Sequence, residues 1–373
     1  MQKEYFGWGS IEKIKEILNL EKPKKIFLVT RTSYTKCGVS KFLAPILQNY
    51  NVTYFNMYSP NPKIEEIIAG LELFDDSTDL VIAIGGGSTI DTAKLINILA
   101  SNNGDPITYL KESEVIKNKG KPLIAIPTTS GSGSEATRYV VVYHNKVKYS
   151  VTHNFILPDY SIVDPQLTMS MPMNAAAAAG IDALGQAMEA FWSVNSTSES
   201  KLCSEQAIKL IVEHLENSIN NHSKNSMVAV MKAANLAGKA INIAKTTASH
   251  ALAYTKTSYF GVSHGHAVGL TLGPMLVYNY NVSEEDCNDA RGISHVKKTI
   301  LELCHLLGCQ DPTSANDKLR NLMNYIGLEV NPLALGIGDK ELQFIRENVN
   351  VERLSNNPRK IPSNIDFKVF YYK

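Results

Sequence analysis

Three histidines fall within 17 positions of a chain that has nine in all: His250, His264 and His266, in TTASHALAYTKTSYFGVSHGHAV (246–268). His250 and Tyr254 are four apart, so on a helix they share one face. Thr255, Thr257 and Ser258, followed by Gly261, read as loop residues that end that helix. Ser263 then reads as an N-cap, making His264 the first residue of the next helix. Imidazoles on neighbouring helices can converge on one divalent cation. Taken singly, each is equally a hydrogen-bonded histidine near the surface.

A partner carboxylate lies upstream. In AAAAAGIDALGQAMEAFWS, a helix-favouring run with Gly180 and Gly185 as weak points, Asp182 and Gln186 are four apart and share a face. A carboxylate buried in an alanine-rich setting needs a partner such as a cation, whereas a solvated or capping aspartate needs none. A second kind of chemistry is suggested by two glycine loops. Gly85, Gly86 and Gly87 follow the apolar run LVIAI, and Ser88 and Thr89 add hydroxyls. Glycines there let the backbone approach a ligand closely, and free N–H groups at a helix start favour a phosphate. PLIAIPTTSGSGSEAT likewise runs from an apolar strand into small hydroxyl and glycine residues, which suit pyrophosphate and ribose. Neither loop is GxGxxG or a Walker A motif.

The surrounding elements must hold these loops. KKIFLVT, NVTYFNMY and DLVIAIG read as strands. Helices are expected from Ser10 (as cap) to about Asn19, between Val39 and Gln48 with a kink or first turn at Pro45, and after SPNPK. Strands alternating with helices predict a parallel sheet covered on both faces, an α/β dinucleotide-binding domain over 1–168. From Asn174 the pattern is helical, predicting an all-helical metal and substrate domain over 169–373, with the hinge between Pro165 and Asn174. A length of 373 residues suits two domains. Lys and Arg number 37 against 36 Asp and Glu, which argues against a general nucleic-acid or membrane partner. Five cysteines without a CxxC pair favour reduced thiols, and MQKEYFGWGSIEKIKEIL lacks a signal peptide's apolar run. A soluble cytoplasmic protein is expected.

GGGSTIDTAK (85–94), PTTSGSGSEAT (127–137), VDP (163–165) and HGHA (264–267) together resemble the iron-containing (group III) alcohol dehydrogenases, from YFGWGSIEKI to NNPRKI. The resemblance implies a nucleotide-binding α/β domain, an all-helical domain and an active site in the cleft between them. It implies that Gly86, Gly87 and Ser88 hold the pyrophosphate of NAD(P)H, with Asp91 of the same motif in that cofactor site. Thr128, Thr129 and Ser132 line the path of adenine, ribose and nicotinamide. Arg31 stands where NAD-preferring relatives often carry Asp, and can pair with a 2′-phosphate. The family's metal, Fe²⁺ or Zn²⁺, is held by one Asp and three His. Asp182, His250 and His264 take three of those positions and Gln186 the fourth. A neutral amide is a weaker ligand than imidazole. Gln186 as fourth ligand, a three-ligand site completed by water and a site without metal are the open alternatives, and a bound cation is favoured.

The activity implied is reversible NAD(P)H-dependent reduction of a small aldehyde to a primary alcohol. Tyr254, where many relatives carry His, suits protonation of an alkoxide, tyrosine's ordinary pKa being about 10. His266 reads as an outer-shell or substrate-contacting residue. KTTASHALAY, FGVSHGHAV and EAFWSVNSTSESK resemble the phosphonoacetaldehyde reductase subgroup, which forms 2-hydroxyethylphosphonate. Lys256, beside the expected metal site, with Lys245, Arg138 and Lys148, supplies cations for such an anion. A homodimer is expected. Two other readings compete: a non-redox enzyme like dehydroquinate synthase, and a nucleotide-binding paralogue that has lost catalysis.

Overall fold

The computed structural model describes residues 2–145, 147–349 and 351–372. The chain forms two compact units, Met1–Met171 and Pro172–Lys373.

In the first unit, short runs of branched apolar residues become β1 (Lys3–Phe6), β2 (Lys25–Thr30), β3 (Asn51–Phe55), β4 (Leu80–Gly85), β5 (Leu123–Pro127) and β8 (Tyr160–Val163). They form one parallel sheet in the order β1-β8-β5-β4-β2-β3. Alternate residues face opposite ways. Phe27, Val29, Val81, Ala83 and Ala125 belong to one core; Ile26, Leu28, Ile82, Ile84 and Ile124 belong to another. Burial on both faces explains why these strands read as continuous apolar runs. Helices α1 (Ile14–Glu21), α2 (Thr32–Lys36), α3 (Val39–Leu47), α4 (Ile64–Leu73), α5 (Gly87–Ala100) and α6 (Pro106–Lys111) connect them, and β6 (Tyr139–His144) pairs with β7 (Val147–Thr152) as a separate hairpin. The chain leaves β2 toward β3 and β4 toward β5, in opposite directions across the sheet. Such a reversal marks a ligand crevice at the strands' carboxyl ends. Arg31 follows β2, Gly86 follows β4 and Thr128 follows β5.

One local expectation changes and another is narrowed. Ser10 does not cap the first helix: Ser10–Lys13 is a 3₁₀ turn, and the Asp164 carboxylate accepts the N–H groups of Gly9 and Ile11 at 3.0 Å each. A carboxylate after β8 thus does the work expected of the local hydroxyl. Pro45 lies inside α3 rather than in its first turn, and the helix ends two residues later at Leu47.

The second unit is helical: α7 (Met173–Trp192), α8 (Ser198–Asn220), α9 (Lys224–Ala244), α10 (Ala248–Phe260), α11 (His264–Tyr280), α12 (Ile293–Leu306), α13 (Pro312–Tyr325) and α14 (Asp339–Glu347). Gly180 and Gly185 are points of close approach, not of weakness. A Cβ on Gly180 would lie 2.1 Å from Leu215 Cδ1, and one on Gly185 2.6 Å from Val268 Cγ1. Thr255, Thr257 and Ser258 do not end α10. Thr255 is buried and donates to the Asn348 carbonyl at 3.1 Å, and Tyr259 packs against Phe344, so tertiary contacts override weak helix propensity. Gly261, at φ 71°, ends the helix. Among the described residues the five cysteines are free, and no helix is long and apolar enough to cross a membrane.

Candidate active site

Asp182 projects from α7, His250 from α10 and His264 from the first position of α11, and one ligand atom from each lies within 4.8 Å of the others. Their meeting depends on Gly265. A Cβ there would stand 1.9 Å from the Ala178 carbonyl oxygen and 2.7 Å from Asp182 Cβ, so only glycine lets α11 start this close to α7. Gly261 ends α10 and Ser263, without a side-chain cap bond, precedes α11. The short loop between them folds His264 back beside His250, with ring centroids 5.5 Å apart.

Asp182 Oδ1 is 3.4 Å from His250 Nε2 and 3.9 Å from His264 Nε2. Ligands about 2.1 Å from a tetrahedral cation stand about 3.4 Å apart, so this spacing fits a divalent ion. His250 Nε2 is buried and makes no hydrogen bond. One carboxylate oxygen and two imidazole nitrogens also match the preferences of Zn²⁺ and Fe²⁺. The residues fit the metal. Gln186 uses its amide to donate to Asp182 Oδ2 at 3.2 Å, orienting the carboxylate.

Behind His250 stands Glu189, fully buried, one carboxylate oxygen on His250 Nδ1 and the other on the Ser249 N–H and the Thr247 hydroxyl, each at 2.7 Å. Burial alone would lower the pKa of His250, but the charges of Glu189 and Asp182 raise it to about 10. Sequence reasoning missed Glu189 and Thr247. The available signal was spacing: Glu189 is seven after Asp182, two turns on along the same face of α7.

Tyr254 is stacked on His264, with centroids 5.7 Å apart and planes 10° from parallel. His266 and Lys256 are carried elsewhere. Each follows a member of the cluster by two positions, about 160° round its helix. His266 Nε2 donates to the Glu329 carbonyl at 2.6 Å, and burial lowers its pKa. Lys256, expected beside the metal site, is fully buried, with Nζ 5.1 Å from the centre of the Tyr371 ring and no hydrogen-bond partner. Burial pulls its pKa down to about 7. Lys245 is half-buried just beyond α9.

In the first unit the two glycine loops meet. A Cβ on Gly87 would lie 2.7 Å from Ser132 Oγ, and one on Gly86 3.2 Å from Thr129 Cγ2. Gly87 opens α5, so first-turn N–H groups are offered beside the hydroxyls of Ser88 and Thr129. Thr128 is buried, and its N–H donates to the Gly85 carbonyl at 2.9 Å. The Arg31 guanidinium lies 5.5 Å from the centre of the Tyr58 ring. Asp91, grouped with the cofactor loop by its motif, instead turns inward. It accepts from Ser134 Oγ and from the Val141 N–H at 2.9 Å, and burial raises its pKa. Arg138 donates to Asn154 Oδ1 at 2.8 Å.

Comparisons with known proteins agree with this architecture. Residues 2–165 match the iron-containing alcohol dehydrogenase family, and residues 176–365 match its C-terminal domain. The chain is 36% identical to long-chain-alcohol dehydrogenase 1 of Geobacillus thermodenitrificans over 280 residues, 74% of this chain and 71% of that one. It is 32% identical to the phosphonoacetaldehyde reductase of Streptomyces viridochromogenes over 293 residues, 76% of this chain and 73% of that one. The crystal structure of sulfoacetaldehyde reductase from Bifidobacterium kashiwanohense in complex with NAD⁺ superposes with a TM-score of 0.86 at 28% identity, covering 97% of this chain and 94% of that one. With both halves matched and the carboxylate–imidazole cluster in place, the chain belongs to the iron-containing alcohol dehydrogenases, oxidoreductases of alcohols and aldehydes that use a nicotinamide cofactor and a divalent metal.

Proposed function

We propose that this enzyme reduces a small aldehyde bearing an acid group, phosphonoacetaldehyde foremost, to the primary alcohol with NAD(P)H. The observation that carries the reaction type is the convergence of Asp182, His250 and His264 beside Tyr254. The substrate class is supported by two relatives named for a phosphonate and a sulfonate of acetaldehyde.

Asp182 Oδ1, His250 Nε2 and His264 Nε2 would hold the cation, with Gln186 steadying Asp182. The metal would supply Lewis-acid polarisation of the carbonyl. Gly86, Gly87, Ser88, Thr128, Thr129 and Ser132 hold the dinucleotide, the helix start and hydroxyls meeting its phosphates. Bound there, NAD(P)H would supply a hydride to the carbonyl carbon, and the carbonyl oxygen would then need one proton. The Tyr254 hydroxyl donates that proton, from a ring fixed by its stacking on His264. His266 is engaged with the Glu329 carbonyl and acts through packing. Of the cations in the second unit, Lys245 is partly exposed and suits the substrate's acid group, whereas Lys256 is fully buried. Arg31 suits a 2′-phosphate and favours NADPH.

The test is turnover of the purified, metal-loaded protein with NADPH and NADH on phosphonoacetaldehyde, sulfoacetaldehyde and uncharged aldehydes. A kcat/KM at least about tenfold higher for the acid aldehydes, a difference of about 1.4 kcal/mol in the barrier, is expected. Equal values for propanal and phosphonoacetaldehyde would remove the substrate assignment and leave the aldehyde reductase.

A further inference from the structure

We infer that Glu189 is a positioning residue for the metal: it holds the proton of His250 on Nδ1 and thereby keeps the Nε2 lone pair available to the cation. The inference rests on the reading of Asp182, His250 and His264 as ligands, and deepens it. Glu189 is fully buried, and each of its carboxylate oxygens is met by hydrogen-bonding groups. Glu189 Oε1 accepts the Ser249 N–H at 2.7 Å, the His250 N–H at 3.4 Å and the Thr247 hydroxyl at 2.7 Å. The two backbone N–H groups are unconditional donors, and the Thr247 hydroxyl accepts the Trp192 indole N–H at 2.8 Å while donating its own hydrogen to Glu189. Every other group on Glu189 is therefore a donor, and Glu189 acts only as an acceptor. Its remaining oxygen, Oε2, meets His250 Nδ1, so that nitrogen carries hydrogen. With a metal bound, Nε2 must then be the ligating atom, and it is the one facing Asp182 and His264.

The same carboxylate also frames the start of α10. Thr247, the N-cap residue, makes no side-chain cap of its own, and Glu189 takes the first N–H groups in its place. Glu189 and Asp182 share one face of α7, so a single helix supplies both a ligand and the brace for a second ligand on another helix. The spacing of 61 residues between Glu189 and His250 is spanned by α8 and α9, whose packing against α7 sets the distance.

Glu189→Gln separates this role from simple packing. The side chain keeps its shape, and its amide oxygen still accepts from Thr247 and Ser249. Its NH₂ then faces His250 Nδ1, which must accept, moving the ring proton to Nε2 where the metal belongs. We expect Zn²⁺ affinity, measured by chelator competition on the full chain, to fall about 10- to 100-fold. The circular dichroism of the metal-free variant should match the parent. In the Zn²⁺-loaded parent, ¹⁵N spectra of the histidine rings should show His250 protonated at Nδ1. Affinity within about twofold of the parent, or a His250 ring protonated at Nε2 or bound through Nδ1, overturns the role of Glu189 while leaving the metal site standing. A parent chain that takes up neither Zn²⁺ nor Fe²⁺ overturns the metal reading and this inference together. If the variant does not fold, the ¹⁵N measurement on the parent decides.

Discussion

Asp91 and Lys94 lie one turn apart on α5 of the first unit, fully surrounded, and their polar atoms are met by donors and acceptors that ask for nothing more. Lys94 Nζ donates to the carbonyls of Ser134, Thr137 and Tyr139 at 2.6, 2.8 and 3.1 Å, while Asp91 accepts from Ser134 and Val141. In the second unit Asp182 and Glu189 lie on one face of α7, equally sheltered, but the network they build stops at His250 Nε2, a buried nitrogen without a hydrogen bond. The first assembly is closed and ties the loop after β5 to α5. The second is open at His250 Nε2, and that atom faces Asp182 and the His264 ring. Between these two clusters, completeness of pairing rather than depth of burial is the difference. Lys94 illustrates this: burial pulls its pKa down to about 8, with Asp91 and Glu135 opposing, yet it is structural.

The largest expected effects come from breaking the open network. His250→Ala or His264→Ala should remove the metal and lower kcat/KM by about 10³-fold or more, equivalent to about 4 kcal/mol. Metal analysis beside turnover checks this; full activity in either variant sinks the metal-centred mechanism. Breaking the closed network should do the converse. Lys94→Met leaves three carbonyls without their donor and Asp91 without its counter-charge, costing about 3 kcal/mol in urea unfolding. Metal content of the folded fraction should not change, and a selective loss of metal would mean that Lys94 supports the metal site as well as the fold.

Gly265→Ala should rank next. Its Cβ meets a backbone oxygen that cannot swing away, so a loss of about 3 kcal/mol is expected, with weakened metal uptake because His264 is the preceding residue. An unfolding midpoint equal to the parent's would show that α7 and α11 can part cheaply. The smallest effect has the opposite sign and concerns Lys256, whose amine has neither network. Its folded pKa, about 7, lies below the ordinary 10.5. Below about pH 7 the amine is charged in both folded and unfolded chains, and the fold bears the whole cost of sheltering it. As pH rises from about 7 toward 10.5 the folded form is already neutral and the cost fades. Lys256→Met should therefore stabilise the metal-free chain, by on the order of 2 kcal/mol at about pH 6 and less at about pH 9. A gain that is equal at both values would show that packing, not charge, is responsible.

Much of this was legible in the chain itself. The parallel sheet followed from branched apolar runs between helical segments, and the glycine loops from their place at strand ends. Asp182, His250 and His264 stood out because a carboxylate in an alanine-rich helix and imidazoles flanking a short loop are unusual company. Thr255, Thr257 and Ser258 misled because their low helix propensity is a local quantity, and contacts with Asn348 and Phe344 outweigh it. Asp91 misled because a motif says which residues travel together without saying which way each one faces.

Residue types and spacing singled out Asp182, His250 and His264 and the two glycine loops as candidates, since each stands out within a short stretch whose geometry is set by one helix turn or one strand end. Only the tertiary structure decided that Glu189 backs His250, that Gly265 is the point where α11 meets α7, and that Lys256 is buried against Tyr371. Those facts join segments 61 or more residues apart, and a helical period says which face a side chain occupies but not what is packed against it.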